Sequence, residues 1–423
     1  MASWLARRRF PALATAILIG WGLLSTTWVV HVAYGRTAWA LPDDLWDTLV
    51  AAQRLLHLRL SGLYTQPTGL VSFPGTAIIL VPVVALMDAL GIPIDPQTAH
   101  HSHPTSWLVA GPYEIAISCL VLFAVDHLAE RQGLTLGRRF FLAVASAVAL
   151  WSVTIRWGHP EDAVAVALLL YAIGALDPGE GDVRLAKAGW LAGAALVVQP
   201  LVLLALPVLV VVVWQAPHQL TRRPGRVAGF GVRAITPSAV ALGIAAAANW
   251  HATVTAVTSQ PNYPSIDHPT PWTSLAPHLS HGNVAAGPAR MLAIVLACGC
   301  AVGYAYRRRL APPDEPFLPE LLWWVAAALA MRCVFESVMV AYYVWPALAV
   351  ALVAAAASWT RLVWTGVLAA AVTFASQSAW RSTWGWWTAI IVGLALVLSC
   401  ARPRMPRDRA PRDYAGATVT RLP

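Results

Sequence analysis

Three small clusters of charged residues interrupt an otherwise apolar chain, and chemistry has to be sought in them. The first is Pro42-Asp43-Asp44-Leu45-Trp46-Asp47, directly after the first apolar run. A carboxylate at the mouth of a membrane can take the proton of a sugar hydroxyl and act as general base in glycosyl transfer. Partial desolvation would lift its pKa toward the useful range. Asp43 or Asp44 has a second available role, capping the helix that follows. One of the pair can cap while the other reacts.

The second cluster is Gly158-His159-Pro160-Glu161-Asp162, between two apolar runs. Two adjacent carboxylates and a histidine at a membrane boundary are costly to bury and therefore suggestive. Pro160 fixes the start of the next helix. Glu161 and Asp162 then fall in its first turn, where they would also satisfy the helix dipole. Arg156, one turn earlier, suits pairing with these acids or holding a phosphate. The third cluster is Arg332-Cys333-Val334-Phe335-Glu336. Arg332 and Glu336 are four apart and share a helix face. A charge within a membrane costs about 2.5–3.5 kcal/mol, which an ion pair would partly offset. Alternatively Arg332 binds a lipid phosphate, since guanidinium matches phosphate geometry. Tyr342 and Tyr343 follow directly, suited to stack on a sugar or to sit in an interfacial aromatic belt. His100, His101 and His103 are spaced like ligands, but only Asp95 is near and a polar loop accounts for them. The same applies to Asp267-His268, so no metal and no cofactor is assigned. No phosphate-binding glycine loop, Ser-His-Asp pattern or kinase signature is present.

The elements that must position these residues are membrane helices. Apolar residues make up 58% of the 423 positions and charged residues 12%, with a mean hydropathy of +0.61. The apolar runs are continuous and Ala/Leu/Val-rich, which excludes strand alternation, and lipid leaves no backbone group to be paired by water. Candidate spans are 11–33, 71–92, 108–128, 139–157, 161–177, 189–214, 234–257, 288–306, 320–337, 341–358, 362–378 and 385–400. The expected fold is an all-α polytopic membrane protein of about 11–13 transmembrane or re-entrant helices, one domain over 1–400. Arg7 to Arg9 before the first run mark a retained anchor with a cytoplasmic amino terminus. The net charge of +9 does not point to nucleic acid, because the arginines flank apolar spans as positive-inside signals. The five cysteines lie in or at the ends of apolar runs and read as free thiols. Residues 401–423 form a basic tail, expected to be disordered near anionic lipid.

Simple counting places Arg131 to Arg139 on the outer side, against the positive-inside rule. A break at Pro82 that stops Phe73 to Leu90 from crossing would resolve this. Basic residues at both ends of 189–214, with Gln199-Pro200 near its centre, suggest a broken helix pair. Two loops exceed mere connectors. In 34–70, Leu45 to Leu60 has helical apolar spacing and reads as an amphipathic helix in the interface plane. The segment 258–288 is proline-rich and suits a semi-rigid lid or rim.

The segment Asp44-Leu45, Ala51-Ala52 through Leu55-Leu56, Gly62-Leu63-Tyr64, Phe73-Pro74 and Pro82 resembles the first outer loop of polyprenol-phosphate-dependent mannosyltransferases. These belong to the GT-C glycosyltransferase superfamily, in its actinobacterial branch. That branch shows an Asp-Leu-x-x-Tyr start, a Gly-x-x-Leu-Tyr turn and a Tyr-Pro-Pro entry to the next span. Here Thr48 replaces the tyrosine and Gly75 the second proline. The Gly158 to Glu161 turn, and Gly189 to Gly193 through Gln199-Pro200-Leu201, resemble later stretches of these enzymes, with Gln199 where a lysine is common. The likeness spans residues 1–215. It implies inverting transfer from a polyprenyl-phosphate sugar, most readily mannose, to a glycan or glycolipid acceptor on the outer face of the plasma membrane. Asp44, with Asp43 second, would be the base. Electrostatics, not the resemblance, suggests Arg332 and Arg156 for the phosphate. Asp47, His159, Glu161, Asp162, Glu336 and Tyr342 complete the expected substrate site. The rival expectations are a transporter or flippase and a non-catalytic envelope-assembly scaffold.

Overall fold

The computed structural model describes residues 2–34, 43–65, 69–70, 72–94, 104–176, 181–215, 223–310, 317–378, 382 and 384–403. These are almost wholly helical, as continuous apolar sequence in lipid requires. Five helices are long and apolar enough to cross a membrane: Ser106–Arg131, Leu136–Arg156, Pro224–Ala248, Ala289–Leu310 and Phe317–Phe335. Shorter apolar helices cover Arg9–Leu24, Leu206–Gln215, Ala341–Ala355 and Gly385–Ala401. An all-α polytopic membrane protein is compatible with this architecture. The Pro160–Ala175 and Trp345–Ala355 helices lie buried at the centre. Peripheral helices keep apolar side chains outside, among them Val232, Ile235 and Ile244 on one and Met291, Val295 and Val302 on another.

Arginines gather at one end of the bundle. Arg8 pairs with Asp126 at 2.6 Å and Glu130 at 2.5 Å. Arg139 grips Asp126 through two nitrogens, at 2.8 and 2.7 Å, and donates to the Arg7 carbonyl at 2.9 Å. Arg138 donates to the Ala357 carbonyl, and Arg361 to that of Arg402. Arg131 to Arg139 therefore share an end with the amino-terminal arginines. The stretch from Phe73 to Leu90 is two short helices, Pro74–Ile78 and Val81–Ala89. At about 1.5 Å per residue neither approaches the roughly 30 Å of a bilayer core. The break falls at Ile79-Leu80, with Pro82 in the first turn of the second piece.

The 189–214 region is also two helices, Gly181–Val198 and Leu206–Gln215, joined through extended Gln199 and a 3-10 turn over Pro200–Leu204. Its beginning thus lies eight residues before the expected 189, at Gly181. The amphipathic helix runs Asp43–Leu56, starting earlier and stopping earlier than expected. Leu58 ends it in a left-handed conformation with φ of 56°. Its apolar residues Leu45, Leu49 and Ala52 are buried in one cluster with Ala77, Leu80 and Val84 of the two short helices. The helix rests its apolar face on the protein itself.

The second long loop is fastened as a rim. His268–Pro269 pairs antiparallel with Val338–Met339. Thr270 donates through its hydroxyl to the Glu336 carbonyl at 2.7 Å, and Thr273 to that of Ser337 at 2.6 Å. His268 stacks on Trp386 at 3.6 Å. All five cysteines are free. His100, His101, His103, Asp95 and the tail from 404 lie outside the described residues.

Candidate functional site

The site is built on an irregular corner. The helix Leu136–Trp151 continues as a π-helical turn over Ser152–Arg156. Gly158 then takes φ of 66°, a conformation open to glycine. The amide of His159 closes back onto the Val153 carbonyl at 3.0 Å. Pro160 starts the next helix, where its missing N–H costs nothing. This corner brings His159 to the amphipathic helix. Its Nε2 lies 2.9 Å from Asp44 Oδ2 and its Nδ1 2.5 Å from Glu161 Oε1. With a carboxylate at each nitrogen, the ring donates to both as imidazolium. One face of the ring stacks on Tyr342 at 3.9 Å.

Burial opposes the charge on His159, but Glu161 and Asp44 outweigh it and hold the imidazole well above its ordinary value. Burial likewise opposes ionisation of Asp44, and the hydrogen bond and charge of His159 overcome it. The Asp44 carboxyl therefore titrates below the usual carboxylate range. Asp44 is crowded by protein yet 54% of its side chain remains open to solvent. The downward direction is opposite to the upward shift expected from desolvation, because the imidazolium outweighs burial. Asp44 is ionised, oriented and accessible, but a weaker base than one with a raised pKa.

Beneath it, Glu161 and Asp162 are buried in the first turn of the Pro160–Ala175 helix. The Gln199 amide, freed by the helix break, donates to Asp162 Oδ1 at 2.6 Å. Arg332 and Glu336 form the expected i,i+4 pair, at 3.7 Å. Glu336 also takes Arg290 Nη2 at 2.6 Å, and the Arg332 guanidinium lies 3.7 Å over the Tyr343 ring. Trp157 bonds to Gln377 at 2.9 Å and flanks Tyr342.

Asp44, His159, Glu161, Asp162, Arg332, Glu336 and Tyr342, expected on separate grounds, thus form one connected group. Tyr342 and Tyr343 are buried inside it, which removes the aromatic-belt alternative. The Asp43 side chain lies outside the described residues. Asp47 is within the field of Arg54 on its own helix. Arg156 is exposed at the end of the π turn, with no ion pair to another described residue.

Two charged neighbours escaped sequence reading, and a third, Asp267, reads in the sequence only as part of a polar loop. Glu114 is wholly buried, bonds to Ser118 at 3.2 Å and feels the charges of Glu161 and His159. A lone acid inside an apolar run was the available signal. Arg290 had none beyond its charge. Asp267 lies on the fastened rim, where burial and then the Asp44 charge push its carboxyl up to about 6. Among the described residues, no group of three or more His, Cys, Asp or Glu is arranged to hold a metal.

Two departures from the resembled pattern have local causes. A Cβ on Gly75 would come within 2.3 Å of the Val197 carbonyl oxygen, and Thr76 donates to the Val198 carbonyl at 2.7 Å. A proline cannot occupy that contact. Thr48 is buried and bonds back to the Asp44 carbonyl at 3.0 Å. No protein-family profile matches the chain, and no curated protein is similar to it.

Proposed function

We propose that this chain is a GT-C-like membrane glycosyltransferase of about 11–13 transmembrane or re-entrant helices. It transfers a sugar, most readily mannose, from a polyprenyl-phosphate donor to a hydroxyl of an envelope glycan or glycolipid. The observation that carries the proposal is the half-open Asp44 carboxylate, held ionised by His159 at 2.9 Å beside a buried polar group. Asp44 accepts the proton of the acceptor hydroxyl. The acceptor oxygen forms its bond to the anomeric carbon as the bond to the lipid phosphate breaks, and that electron pair leaves with the phosphate. Configuration inverts in this single displacement. Positive-inside logic puts the arginine-rich end in the cytoplasm and the site on the outer face.

The test is Asp44→Asn in purified protein supplied with labelled polyprenyl-phosphate mannose and a glycolipid acceptor. Loss of general-base catalysis should lower turnover about 10²–10⁴-fold while the protein stays folded. Full activity of the variant would end the assignment. Glu114, buried with its Oε2 unpartnered among described residues, favours a second reading as a proton-coupled transporter. Solute counterflow in proteoliposomes without sugar transfer would select it.

A further inference from the structure

The span Leu136–Arg156 has 21 residues and carries Arg138 and Arg139 in its first turn, at the arginine-rich end of the bundle. At about 1.5 Å per residue it climbs about 30 Å, the thickness of a bilayer core. Arg156 therefore emerges at the depth of the lipid phosphates on the opposite face. Trp157, half-buried beside it, is of the type enriched at that depth. The corner that follows is closed by the Gly158 and His159 amides, which donate back to the Thr154 and Val153 carbonyls at 3.1 and 3.0 Å. Trp157 is fixed as well, through Gln377 at 2.9 Å. One closed turn thus carries both the exposed Arg156 and the His159 that bonds Asp44 at 2.9 Å.

Other described arginines around the site are engaged or remote. Arg332 and Arg290 both sit on Glu336, at 3.7 and 2.6 Å, and the Tyr343 ring covers the Arg332 guanidinium. An anion arriving at either would meet that carboxylate. Arg54 donates to the Gly62 carbonyl at 2.6 Å and lies in the field of Asp47. Arg59 is exposed, but it lies beyond the far end of the Asp43–Leu56 helix, which rises about 18 Å from Asp44. Arg156 opens to solvent and makes no ion pair with a described residue, so its guanidinium is available to a phosphate.

Resting on the glycosyltransferase reading, we infer that Arg156 holds the phosphate of the polyprenyl-phosphate donor. Arg332 then braces Glu336 and Tyr343 within the buried group and does not touch the phosphate. A guanidinium meets two phosphate oxygens at once, and negative charge gathers on those oxygens as the glycosyl bond breaks. With its isoprenoid chain in the outer leaflet, the donor brings its phosphate to Arg156 without entering the sealed interior.

The test uses full-length protein in phosphatidylcholine nanodiscs, with polyprenyl phosphate and polyprenol as probes. Each protein is read by the ratio of the two affinities, which cancels any general loss of stability. Arg156→Gln should lower the preference for the phosphate about tenfold, the modest end for a hydrogen bond to a charged group because the site is exposed. Arg59→Gln removes the same charge from the remote exposed arginine, beyond a Debye length, and should leave the ratio within about twofold. An unchanged ratio in Arg156→Gln, or an equal loss in Arg59→Gln, overturns the phosphate site and leaves the transferase standing. An equimolar share of phosphatidylglycerol should not displace polyprenyl phosphate from wild type. Displacement that Arg156→Gln abolishes would assign the arginine to bulk headgroups and overturn the inference. If wild type binds polyprenyl phosphate no better than polyprenol, the lipid-phosphate donor itself falls and this site with it.

Discussion

Replacing His159 by phenylalanine separates what the imidazole does for stability from what it does for reaction. The ring shape and its 3.9 Å stacking on Tyr342 survive, but both hydrogen bonds are lost. The two losses differ in size because their partners differ in exposure. Glu161 is 6% exposed, and a buried carboxylate stripped of its partner costs about 3–5 kcal/mol. Asp44 is 54% exposed, and solvent screening reduces its share to about 0–1 kcal/mol. His159→Phe should therefore unfold well below wild type, for the sake of Glu161. Adding Glu161→Gln removes the stranded charge and should recover most of that stability. Transfer should not recover, since Asp44 still lacks its charge-assisted hydrogen bond. A deficit of about 10- to 100-fold is expected in both variants. Thermal unfolding followed through the 21 tryptophans gives the first quantity, and turnover of lipid-linked sugar the second. A double variant no more stable than His159→Phe would refute the buried-charge reasoning. Wild-type transfer by either protein would show that Asp44 works without the imidazole.

The pH profile follows from the same groups. The raised value of His159 makes its stabilisation complete below about 6.5 and lost as pH rises through the folded value. The depressed value of Asp44 makes its contribution present above about 3.9 and lost as pH falls through the folded value. With Asp267 replaced by Asn, melting temperatures should plateau between these limits, and the alkaline decline should shrink in His159→Phe. Asp267 behaves oppositely: its carboxyl, pushed up to about 6, costs stability once charged. Asp267→Asn should be neutral near pH 4 and stabilising at pH 7, measured by the same melts. Gly75→Ala would place a Cβ 2.3 Å from the Val197 carbonyl, and overpacking there should cost about 1–3 kcal/mol, read as a lower melting temperature. Thr270→Val removes the hydroxyl that fastens the rim to the Glu336 carbonyl, and limited proteolysis should then cut the 259–288 loop faster than in wild type.

Much of the architecture was legible in the residues because lipid leaves an apolar run few alternatives to helix. The punctuation was legible too. Pro82, Gln199-Pro200 and Gly158 with Pro160 each fall at a real interruption, whereas Pro112 and Pro237 sit inside continuous helices, so a ring without an N–H marks a break only where its surroundings permit one. The spacing of Arg332 and Glu336 fixed their pairing, as both lie on one helix. Boundaries were less legible: Leu58, with no glycine to announce it, turns left-handed and ends the amphipathic helix early.

Contacts between helices were decided elsewhere. Asp44 and His159 meet across 115 positions, and nothing in either segment names the other. Glu114 and Asp267 join them from a helix core and a loop whose own sequences show only a single acid each. The side of the bundle on which Arg131 to Arg139 lie depended on whether a distant stretch crosses, which Asp126 settles by holding both Arg8 and Arg139. The chain's own order determined which residues share a helix face, because 3.6 residues per turn is a local rule. Which faces meet, and at what height, came from packing among many helices at once, and only the tertiary structure could decide it.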